Sequence, residues 1–331
     1  MGRLASYVLP LRWTRPGPIA ELTEYLAQIR AHVAEIIVVD GSPPELFALH
    51  AAQLQAVARH MPPDDDLRFA MGKVNGVTTG IRHANNDRVV IADDDVRYDA
   101  ASLRRTIEML DRVDVVRPQN YFSELPWHAR LDTARSLLNR VYTGDIDFPI
   151  GDFPGTLAVR RSAFLDAGGY NGDAMFENLE LMRTVVANGG TVETPLDLYV
   201  ARRPPTTAHF WSQRVRQAYD DFAVPLRMSA FLSVLPLTAH ALSRGRHRML
   251  LTAALGSILV AEAGRRQGGG TRVFGFTSAL LAPVWIAERS VSAWLAVYAR
   301  LRGGVPYGAR RLSHPATSMR RLREEAARPR G

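Results

Sequence analysis

Three adjacent carboxylates, Asp93, Asp94 and Asp95, follow an apolar run in the stretch RVVIADDDVRYDA at residues 88–100. Like charges this close repel one another unless something positive lies among them. A pair spaced Asp-x-Asp suits a hard divalent cation, because Mg²⁺ and Mn²⁺ prefer oxygen ligands and commonly share them with substrate phosphates. The pattern therefore indicates a metal site at Asp93 and Asp95, where the ion would neutralise a diphosphate.

The chain contains a second triple, Asp64 to Asp66, which follows two prolines in a polar stretch. A solvated loop accounts for that triple, so three aspartates in a row are not a site by themselves. Phosphatases of the haloacid-dehalogenase type also use Asp-x-Asp, but they carry Thr or Val two residues after the second Asp. Arg97 stands at that position here, which argues against this class of phosphatase.

The elements that would position the carboxylates alternate between strand and helix patterns. Because such alternation is typical of βαβ units, we predict an α/β fold with a Rossmann-like, mostly parallel sheet flanked by helices. Ligands of such sheets bind at the carboxyl ends of the strands, where Asp40 and the Asp93–Asp95 triple both stand. The glycines of GVTTG, Gly76 and Gly80, predict close packing of their helix. Predicted strands are residues 5–11, 35–44, 67–71, 87–93 and 114–119, predicted helices are residues 19–33, 45–59, 74–84, 99–111 and 176–190, and residues 148–173 are rich in turns.

Composition bounds the class of protein. The chain has 331 residues, 47% hydrophobic and 22% charged, which is enough for a large α/β domain and an additional segment. It contains no cysteine, which excludes disulfides and thiolate metal sites. The N-terminal stretch MGRLASYVLPLRW has only a short apolar run before its second arginine, so we expect no signal peptide and a first domain that stays in the cytoplasm.

The net charge of +8 is unevenly distributed, with −7 over residues 1–200 and +15 over residues 201–331. The basic part contains three apolar stretches, at 228–242, 249–263 and 273–287, separated by the linkers SRGRHR and GRRQGGGTR. Each stretch is shorter than the roughly 20 residues that span a bilayer.

A buried helical subdomain would explain the apolar stretches. Their basic flanks favour instead helices that lie on or re-enter an anionic membrane surface, with loops on the cytoplasmic side; full spanning stays open. The basic part contains no patch with interleaved aromatic residues, so we expect no nucleic-acid partner.

Several motifs, taken in order, resemble those of the family 2 glycosyltransferases, which have the nucleotide-diphospho-sugar (GT-A) fold. YVLPLRW is similar to the family's opening strand and nucleotide loop, EIIVVDGS to its second strand, and VVIADDDV to its Asp-x-Asp motif. GTLAVRRSAFLDAGGYNGDAMFENLELMRTVVANGG resembles the acceptor-side segment. FWSQRVRQAYDDF resembles the Gln-x-x-Arg-Trp element of membrane-linked members such as ceramide glucosyltransferases. The resemblance runs from about residue 5 to 220, with a looser similarity to about residue 312.

The resemblance implies roles for individual residues. It places Asp40 at the nucleotide base and the only lysine of the chain, Lys73, near the nucleotide, while Asp95 and Asp93 would hold Mg²⁺ or Mn²⁺. A base would deprotonate the acceptor hydroxyl, which attacks the anomeric carbon opposite the departing diphosphate. Residues implied at the nucleotide-sugar are Pro10, Arg12, Asp40, Lys73, Asp93, Asp94 and Asp95; Glu177, Gln213 and Arg216 are implied in catalysis, and Gly155, Asn178, His209 and Arg214 on the acceptor or diphosphate side.

Two positions depart from the family's pattern. The family's acceptor motif is Glu-Asp, with the Asp as general base, whereas this chain has Glu177-Asn178, and Asn cannot take a proton. We expect Glu177 to be the base, with Glu180 and Asp173 as alternatives. Gln217 stands where the family's last motif has Trp, which argues against polymer synthesis.

These patterns predict a GT-A glycosyltransferase domain over residues 1–221, with a nucleotide-binding half to about residue 120 and an acceptor half over 121–221. Membrane-associated helices over 222–300 and an Arg-rich tail over 301–331 follow. The expected reaction is metal-dependent, inverting transfer from a nucleotide-diphospho-sugar to a lipid or glycolipid hydroxyl at the cytoplasmic face of the cell membrane. The alternative is a non-catalytic or impaired sugar-nucleotide-binding protein of the same fold.

Overall fold

The structure is a computed structural model that describes residues 5–142, 155–307 and 310–328. Its strands are β1 Ser6–Leu11, β2 Glu35–Asp40, β3 Arg59–Met61, β4 Arg88–Ala92, β5 Val96–Arg97, β6 Val115–Val116, β7 Gln119–Phe122, β8 Thr156–Arg160, β9 Val192–Glu193, β10 Tyr199–Arg202, β11 Val305–Tyr307 and β12 Arg310–Leu312. Its helices are α1 Ile19–Ile29, α2 Pro44–Leu54, α3 Gly72–His83, α4 Ala100–Met109, α5 Trp127–Arg140, α6 Arg161–Asp166, α7 Glu177–Ala187, α8 Thr207–Tyr219, α9 Pro225–Ser243, α10 His247–Arg266, α11 Phe276–Leu280, α12 Ala282–Leu301 and α13 Met319–Ala326.

The described residues form two compact units that interleave along the chain. We call them the sheet unit, with residues 5–120, 155–202 and 318–328, and the helical unit, with residues 121–142, 203–307 and 310–317. The sequence predicted segments 1–221, 222–300 and 301–331, and by compactness α5 and α8 group with the later helices while α13 groups with the sheet.

A seven-stranded sheet in the order β3-β2-β1-β4-β8-β6-β9 forms the centre of the sheet unit. β1 pairs in parallel with β2 and β4, and β2 with β3, whereas β8 runs antiparallel to β4 and β6. The side chains of β1, β2 and β4 are buried almost throughout, as expected of apolar strands covered on both faces. This mostly parallel sheet with helices between its strands confirms the predicted α/β fold.

The parallel register brings the predicted site residues to one edge of the sheet. Leu11, the last residue of β1, pairs with Asp40, the last of β2, and β4 ends at Ala92, directly before the aspartate triple. A second sheet of order β5-β10-β7 continues from the triple, with Val96 of β5 opposite Arg202 of β10. That antiparallel pairing places an arginine beside the carboxylates.

Helix α3 packs closely on β1 through two glycines, as GVTTG predicted. A Cβ on Gly76 would lie 2.9 Å from Pro10 Cβ, and one on Gly80 would lie 2.3 Å from Val8 Cγ1. Any larger side chain would push the helix away from the strand. The close approach matters for the site, because the first turn of α3 carries Lys73.

Two predicted elements of the sheet unit are wrong in place or type. The helix predicted to about residue 59 ends at Leu54, and residues 59–61 form the edge strand β3. Residues 67–71, predicted as a strand, lie in no strand. The Met71 N–H donates to the Gly172 carbonyl at 3.0 Å and the Ala70 N–H to Asp173 Oδ1 at 2.9 Å, so these backbone groups find loop partners instead of a ladder. Part of the predicted turn-rich stretch, 148–154, lies outside the described residues.

The three apolar stretches fall in the helical unit as α9, α10 and the pair α11–α12. Eight residues of α12 are buried, whereas α9 buries only Met228 and Ala241, and α10 only Ala261 and Gly264. Within the described ranges, no helix combines the length and the apolar character needed to cross a membrane.

Replacing Gly80 by Ala should destabilise the protein by roughly 1–3 kcal/mol, because the new methyl group would overpack the interface with Val8. Gly256→Ala is the matched control, since this glycine lies inside α10 with nothing within 4 Å of its missing Cβ. There the substitution should stabilise by about 0.5–1 kcal/mol through helix propensity. Urea unfolding measures both changes, and equal effects at the two positions would contradict the packing argument.

Candidate active site

The Asp93–Asp95 triple forms the turn between β4 and β5, with the Val96 N–H donating to the Asp93 carbonyl at 3.1 Å. Its three carboxylates contact three different donors, two cationic and one an indole. These contacts offset the repulsion within the triple. They join Asp93 Oδ1 to Lys73 Nζ at 2.8 Å, Asp94 Oδ2 to the Trp13 indole N–H at 2.5 Å, and Asp95 Oδ2 to Arg202 Nη2 at 2.6 Å.

Lys73 joins the triple to the predicted base. Its Nζ lies 2.8 Å from Asp93 Oδ1 and 2.6 Å from Glu177 Oε1. Burial by itself would lower the pKa of Lys73, but the carboxylates of Asp93 and Glu177 outweigh it and raise that pKa above its usual value. Lys73 is therefore a permanent cation between two carboxylates.

Asp95 has one carboxylate oxygen to spare. Its Oδ2 accepts from Arg202, whereas its Oδ1 is buried and has no hydrogen-bond partner within the described part of the chain. An orphaned carboxylate oxygen beside a second carboxylate fits the ligand preference of Mg²⁺ or Mn²⁺. Among the described residues no three His, Cys, Asp or Glu side chains cluster into a complete cage, so an ion here would need oxygens from substrate or water as well.

Asp94 differs from its two neighbours. Burial raises the pKa of Asp94, and the charges of Asp95 and Asp93 act in the same direction, while the hydrogen bond from Trp13 opposes them. The ionised form of Asp94 is thus disfavoured, which makes it the least suited of the three to hold a cation. Its contact with Trp13 ties the loop after β1 to the triple.

Gly155 lies directly against Asp93. A Cβ on Gly155 would stand 1.6 Å from Asp93 Oδ2, and the Asp93 N–H donates to the Gly155 carbonyl at 3.3 Å. The carboxylate occupies the space that any side chain would fill. Its predicted role on the acceptor or diphosphate side stays a prediction.

The acceptor motif begins α7. The Glu177 carboxylate also accepts from the Asn178 backbone N–H at 2.9 Å, and the Asn178 side chain is buried. Of the alternative bases, Glu180 is fully buried, and Asp173 is an exposed loop residue that accepts from a backbone N–H. Glu177 is thus the candidate that the structure brings to Lys73 and Asp93.

Asp40, at the end of β2, is buried among hydrogen-bond donors. Its Oδ2 lies 2.7 Å from His50 Nδ1 and 3.1 Å from His60 Nε2, and its Oδ1 accepts from the Ser42 N–H at 2.9 Å. Burial acts to raise the pKa of Asp40, but hydrogen bonds from His60, Ser42 and His50 outweigh it and lower that pKa to about 2. Asp40 is a fixed carboxylate whose direct contact with a nucleobase stays a prediction.

Pro10 and Arg12 flank the end of β1. Pro10 lies opposite Val39 in the sheet and packs on α3, whereas Arg12 is exposed and its guanidinium approaches the start of that helix. Both lie in the sheet unit with the triple and Lys73.

Several contacts at the site were not found from the sequence. Arg202 binds Asp95, Trp13 binds Asp94, and His50, His60 and Ser42 bind Asp40. Trp13 follows β1 and Arg202 ends β10. A position at a strand end is only a weak indication of a site, because many residues at strand ends are solvated. Arg202 is 107 residues from Asp95, so only the pairing of β5 with β10 reveals it.

The Gln-x-x-Arg element lies on α8 in the helical unit. Arg214 is buried, with both Nη atoms 3.2 Å from Asp132 Oδ1 and its guanidinium 4.0 Å above the Phe210 ring. Its Nη2 also donates at 2.7 Å to Gln217, the residue that replaces the family's Trp. These contacts favour a role for Arg214 in holding the helices together, and its role at the diphosphate stays a prediction.

The other predicted residues of α8 have different surroundings. The Arg216 guanidinium stacks on Tyr307 at 4.8 Å, and its Nε is buried with no hydrogen-bond partner among the described residues. Gln213 Nε2 and His209 Nε2 lie 3.3 Å apart on the exposed side of the helix. Their predicted roles stay predictions.

Residues 16–168 match the model of the glycosyl transferase family 2. The mannosyltransferase PcManGT from Pyrobaculum calidifontis, solved in complex with GDP-Man and Mn²⁺, is similar with a TM-score of 0.51 and 17% identity, covering 88% of this chain and 86% of that one. Glucosyl-3-phosphoglycerate synthase from Mycobacterium tuberculosis, solved with Mn²⁺, UDP and glucosyl-3-phosphoglycerate, gives a TM-score of 0.44 and 18% identity over 66% of this chain and 78% of that one. No curated protein matches the chain.

The structural similarity shows the GT-A fold of the nucleotide-diphospho-sugar transferases. The matched residues include Asp40, Lys73 and the whole aspartate triple. Residues 16–168 therefore form a glycosyl transferase family 2 domain, and the protein is a glycosyltransferase. This confirms the family and the enzyme class predicted from the sequence.

Asp40 should make the free energy of unfolding depend on pH. Because the folded state favours its ionised form, Asp40 contributes about 2 kcal/mol to that free energy. The contribution is fully present above the ordinary pKa of Asp40, near 4, and is lost as the pH falls toward 2. In urea unfolding, the difference between wild type and Asp40→Asn should shrink by about that amount between pH 5 and pH 2. Asp65→Asn, at an exposed position of the other triple, is the control. A difference that does not change with pH would show that Asp40 is not held as a carboxylate.

Proposed function

We propose that this glycosyltransferase moves a sugar from a nucleotide-diphospho-sugar to a hydroxyl of a lipid or glycolipid, with inversion, at the cytoplasmic face of the cell membrane. The observation that carries the proposal is the cluster of Asp93, Asp95, Lys73 and Glu177, in which one Asp95 oxygen has no partner among the described residues. Pro10, Arg12 and Asp40 lie at the same edge of the same unit and would receive the nucleotide.

Asp95 and Asp93 would hold Mg²⁺ or Mn²⁺, as the donor set favours. When bound, the ion would neutralise the negative charge of the diphosphate. Two solved neighbours contain Mn²⁺ together with GDP-Man or UDP. These ligands belong to those proteins. We infer a metal cofactor for this chain because Asp95 Oδ1 is buried and has no hydrogen-bond partner among the described residues.

In the described part of the chain, Lys73 and Arg202 are the cations that form ion pairs with the triple. Both are fixed by carboxylates before substrate arrives, so they can face developing negative charge on the departing diphosphate without reorganisation. Such preorganised charge is usually the largest single contribution to catalysis.

Glu177 would be the general base. Its Oε1 lies 2.6 Å from Lys73 Nζ, so its carboxylate is held beside a cation next to Asp93 and can offer an oxygen to a proton. The proton of the acceptor hydroxyl passes to a Glu177 oxygen as the hydroxyl oxygen bonds to the anomeric carbon, and the bond to the diphosphate breaks on the opposite face. Asn178 beside it has no proton-accepting carboxylate, which is why the role falls to Glu177.

A lipid acceptor is favoured by the surface of the helical unit, where α9 and α10 leave most of their apolar residues exposed. An enzyme that uses a lipid-linked hydroxyl as acceptor has to bind at the bilayer surface. An exposed apolar surface with basic linkers favours such binding.

The activity is tested by nucleotide-diphosphate release from a panel of sugar nucleotides, with Mn²⁺ or Mg²⁺ and lipid acceptors. Asp95→Ala should lower the rate about a hundred-fold or more, because it removes the orphaned oxygen and the partner of Arg202. Glu177→Gln should lower turnover while leaving donor binding intact. Asp65→Ala, in the second triple, should change neither.

The configuration of the product, read by NMR, tests inversion. Release that persists without metal and in Asp95→Ala would overturn the proposed site. A product with the donor's anomeric configuration would overturn the single-displacement mechanism and the role of Glu177.

A second candidate function, an impaired or non-catalytic sugar-nucleotide-binding protein, is favoured by one observation, the Asn178 of the acceptor motif. With Glu177 as base, Asn178→Asp should change turnover by less than about ten-fold, because the proton acceptor is already present. A gain of several hundred-fold in the same release assay would show that the natural chain is impaired. Unchanged donor affinity, measured by calorimetry, is the control for correct folding of the variant.

A further inference from the structure

Exposed apolar side chains are concentrated in one unit. Among the described residues, every exposed large hydrophobic side chain except Leu49 and Leu165 belongs to the helical unit. Single exposed hydrophobics are ordinary, but a group of them within one compact unit marks an interaction surface.

Among the described residues, most exposed large hydrophobic side chains lie on three long helices of this unit, with four each on α9 and α10 and six on α12. Leu226 of α9 is 72% exposed and Leu259 of α10 is 69% exposed. Leu251, Leu255 and Leu259 follow one another at four-residue spacing, so they stand on one face of α10. On α9 the exposed apolar residues include Leu235, Leu237 and Leu242.

The connection between these two helices is basic and exposed. Arg244, Arg246 and Arg248 stand at the end of α9, in the turn and in the first turn of α10, and none of them has an acidic partner among the described ion pairs. Leu242 and Met249, both about half exposed, flank this connection on either side. Apolar and cationic side chains therefore meet at the same place on the surface.

Acidic residues are nearly absent from the two helices. Glu262 is the only acidic residue in the sequence of α9 and α10, and its carboxylate is bound to both Arg265 and Arg266. A second copy of this chain docked face to face would thus offer no free carboxylate from these helices to the basic connection. Anionic lipid headgroups would offer phosphates, and the acyl region beneath them would receive the leucines.

We propose that α9, α10 and residues 244–246 between them form a docking surface for an anionic lipid bilayer, with both helices lying in the plane of the headgroups. This inference rests on the proposed function in one respect, the lipid acceptor, which would place the protein at a membrane. It specifies the partner of the helical unit and the residues that bind it. It also agrees with the finding that no described helix is long and apolar enough to cross a membrane.

The test is co-sedimentation of the full chain with vesicles of phosphatidylcholine alone and of phosphatidylcholine with phosphatidylglycerol. Wild type should bind the anionic vesicles and lose affinity as salt rises. The variant Arg244→Gln, Arg246→Gln, Arg248→Gln should bind them about a hundred-fold more weakly, at about five-fold per arginine. Leu255→Gln, Leu259→Gln should lose at least about ten-fold.

Matched controls lie in the sheet unit. Arg30→Gln, Arg104→Gln, Arg112→Gln removes three exposed arginines, and Leu49→Gln, Leu165→Gln removes two exposed leucines. Neither should change vesicle binding. Because all these positions are exposed, thermal unfolding should match wild type, which separates loss of binding from loss of fold.

The proposal is overturned if wild type stays in solution with both kinds of vesicle, or if the controls weaken binding as much as the α9–α10 variants do. A concentration-dependent dimer in sedimentation velocity that the leucine variant abolishes would assign the surface to a second copy instead. Metal-dependent binding of sugar nucleotides is measured on the same variants and should be unchanged. Its absence from wild type would refute the proposed function and leave the vesicle result intact.

Discussion

Three carboxylates in succession at the end of a buried strand impose the constraint on which the rest of the site depends. They persist together only because donors from separate parts of the sheet unit enter among them: Lys73 from α3, Arg202 from β10 and Trp13 from the loop after β1. These ion pairs are partly buried, so removing one partner would leave a charge that neither protein nor solvent fully compensates. The packing of α3 on β1 and the pairing of β5 with β10 are therefore parts of the site as much as of the fold.

The balance of charge in this cluster is incomplete. Among the contacts described, Lys73 and Arg202 face the carboxylates of Asp93, Asp95 and Glu177, with Asp94, whose pKa is raised by burial, beside them. A residual negative charge of this kind attracts a small divalent cation. A bound ion would add positive charge for a diphosphate, beyond the charge that Lys73 and Arg202 supply.

The sequence was informative where a pattern is local. Apolar runs predicted β1, β2 and β4, and strand ends predicted that Asp40 and the triple would lie at one edge. Lys73 stood out as the only lysine of the sequence, and the structure places it in contact with Asp93. Local patterns were sufficient here because burial on both faces of a parallel strand requires an apolar run.

The sequence was uninformative where the contact is remote. Arg202 contacts Asp95 although the two residues are 107 positions apart, because β10 pairs with β5. No rule based on sequence spacing predicts such a contact. Residues 67–71 were predicted as a strand on propensity, but the loop around Gly172 supplied their hydrogen-bond partners. The interleaving of the two units is likewise a property of tertiary packing, which a linear scan for boundaries cannot detect.

The return of α13 to the sheet unit has a consequence for synthesis of the chain. Met319 and Leu322 of this helix are buried, and α13 packs on α7, the helix that begins with the acceptor motif. More than a hundred residues separate Arg202 from Ser318, so at about 5–20 residues per second that face of α7 stays uncovered on the ribosome for on the order of ten seconds. The sheet unit can thus acquire its strands early but its complete surface only after residues 203–317 have been translated.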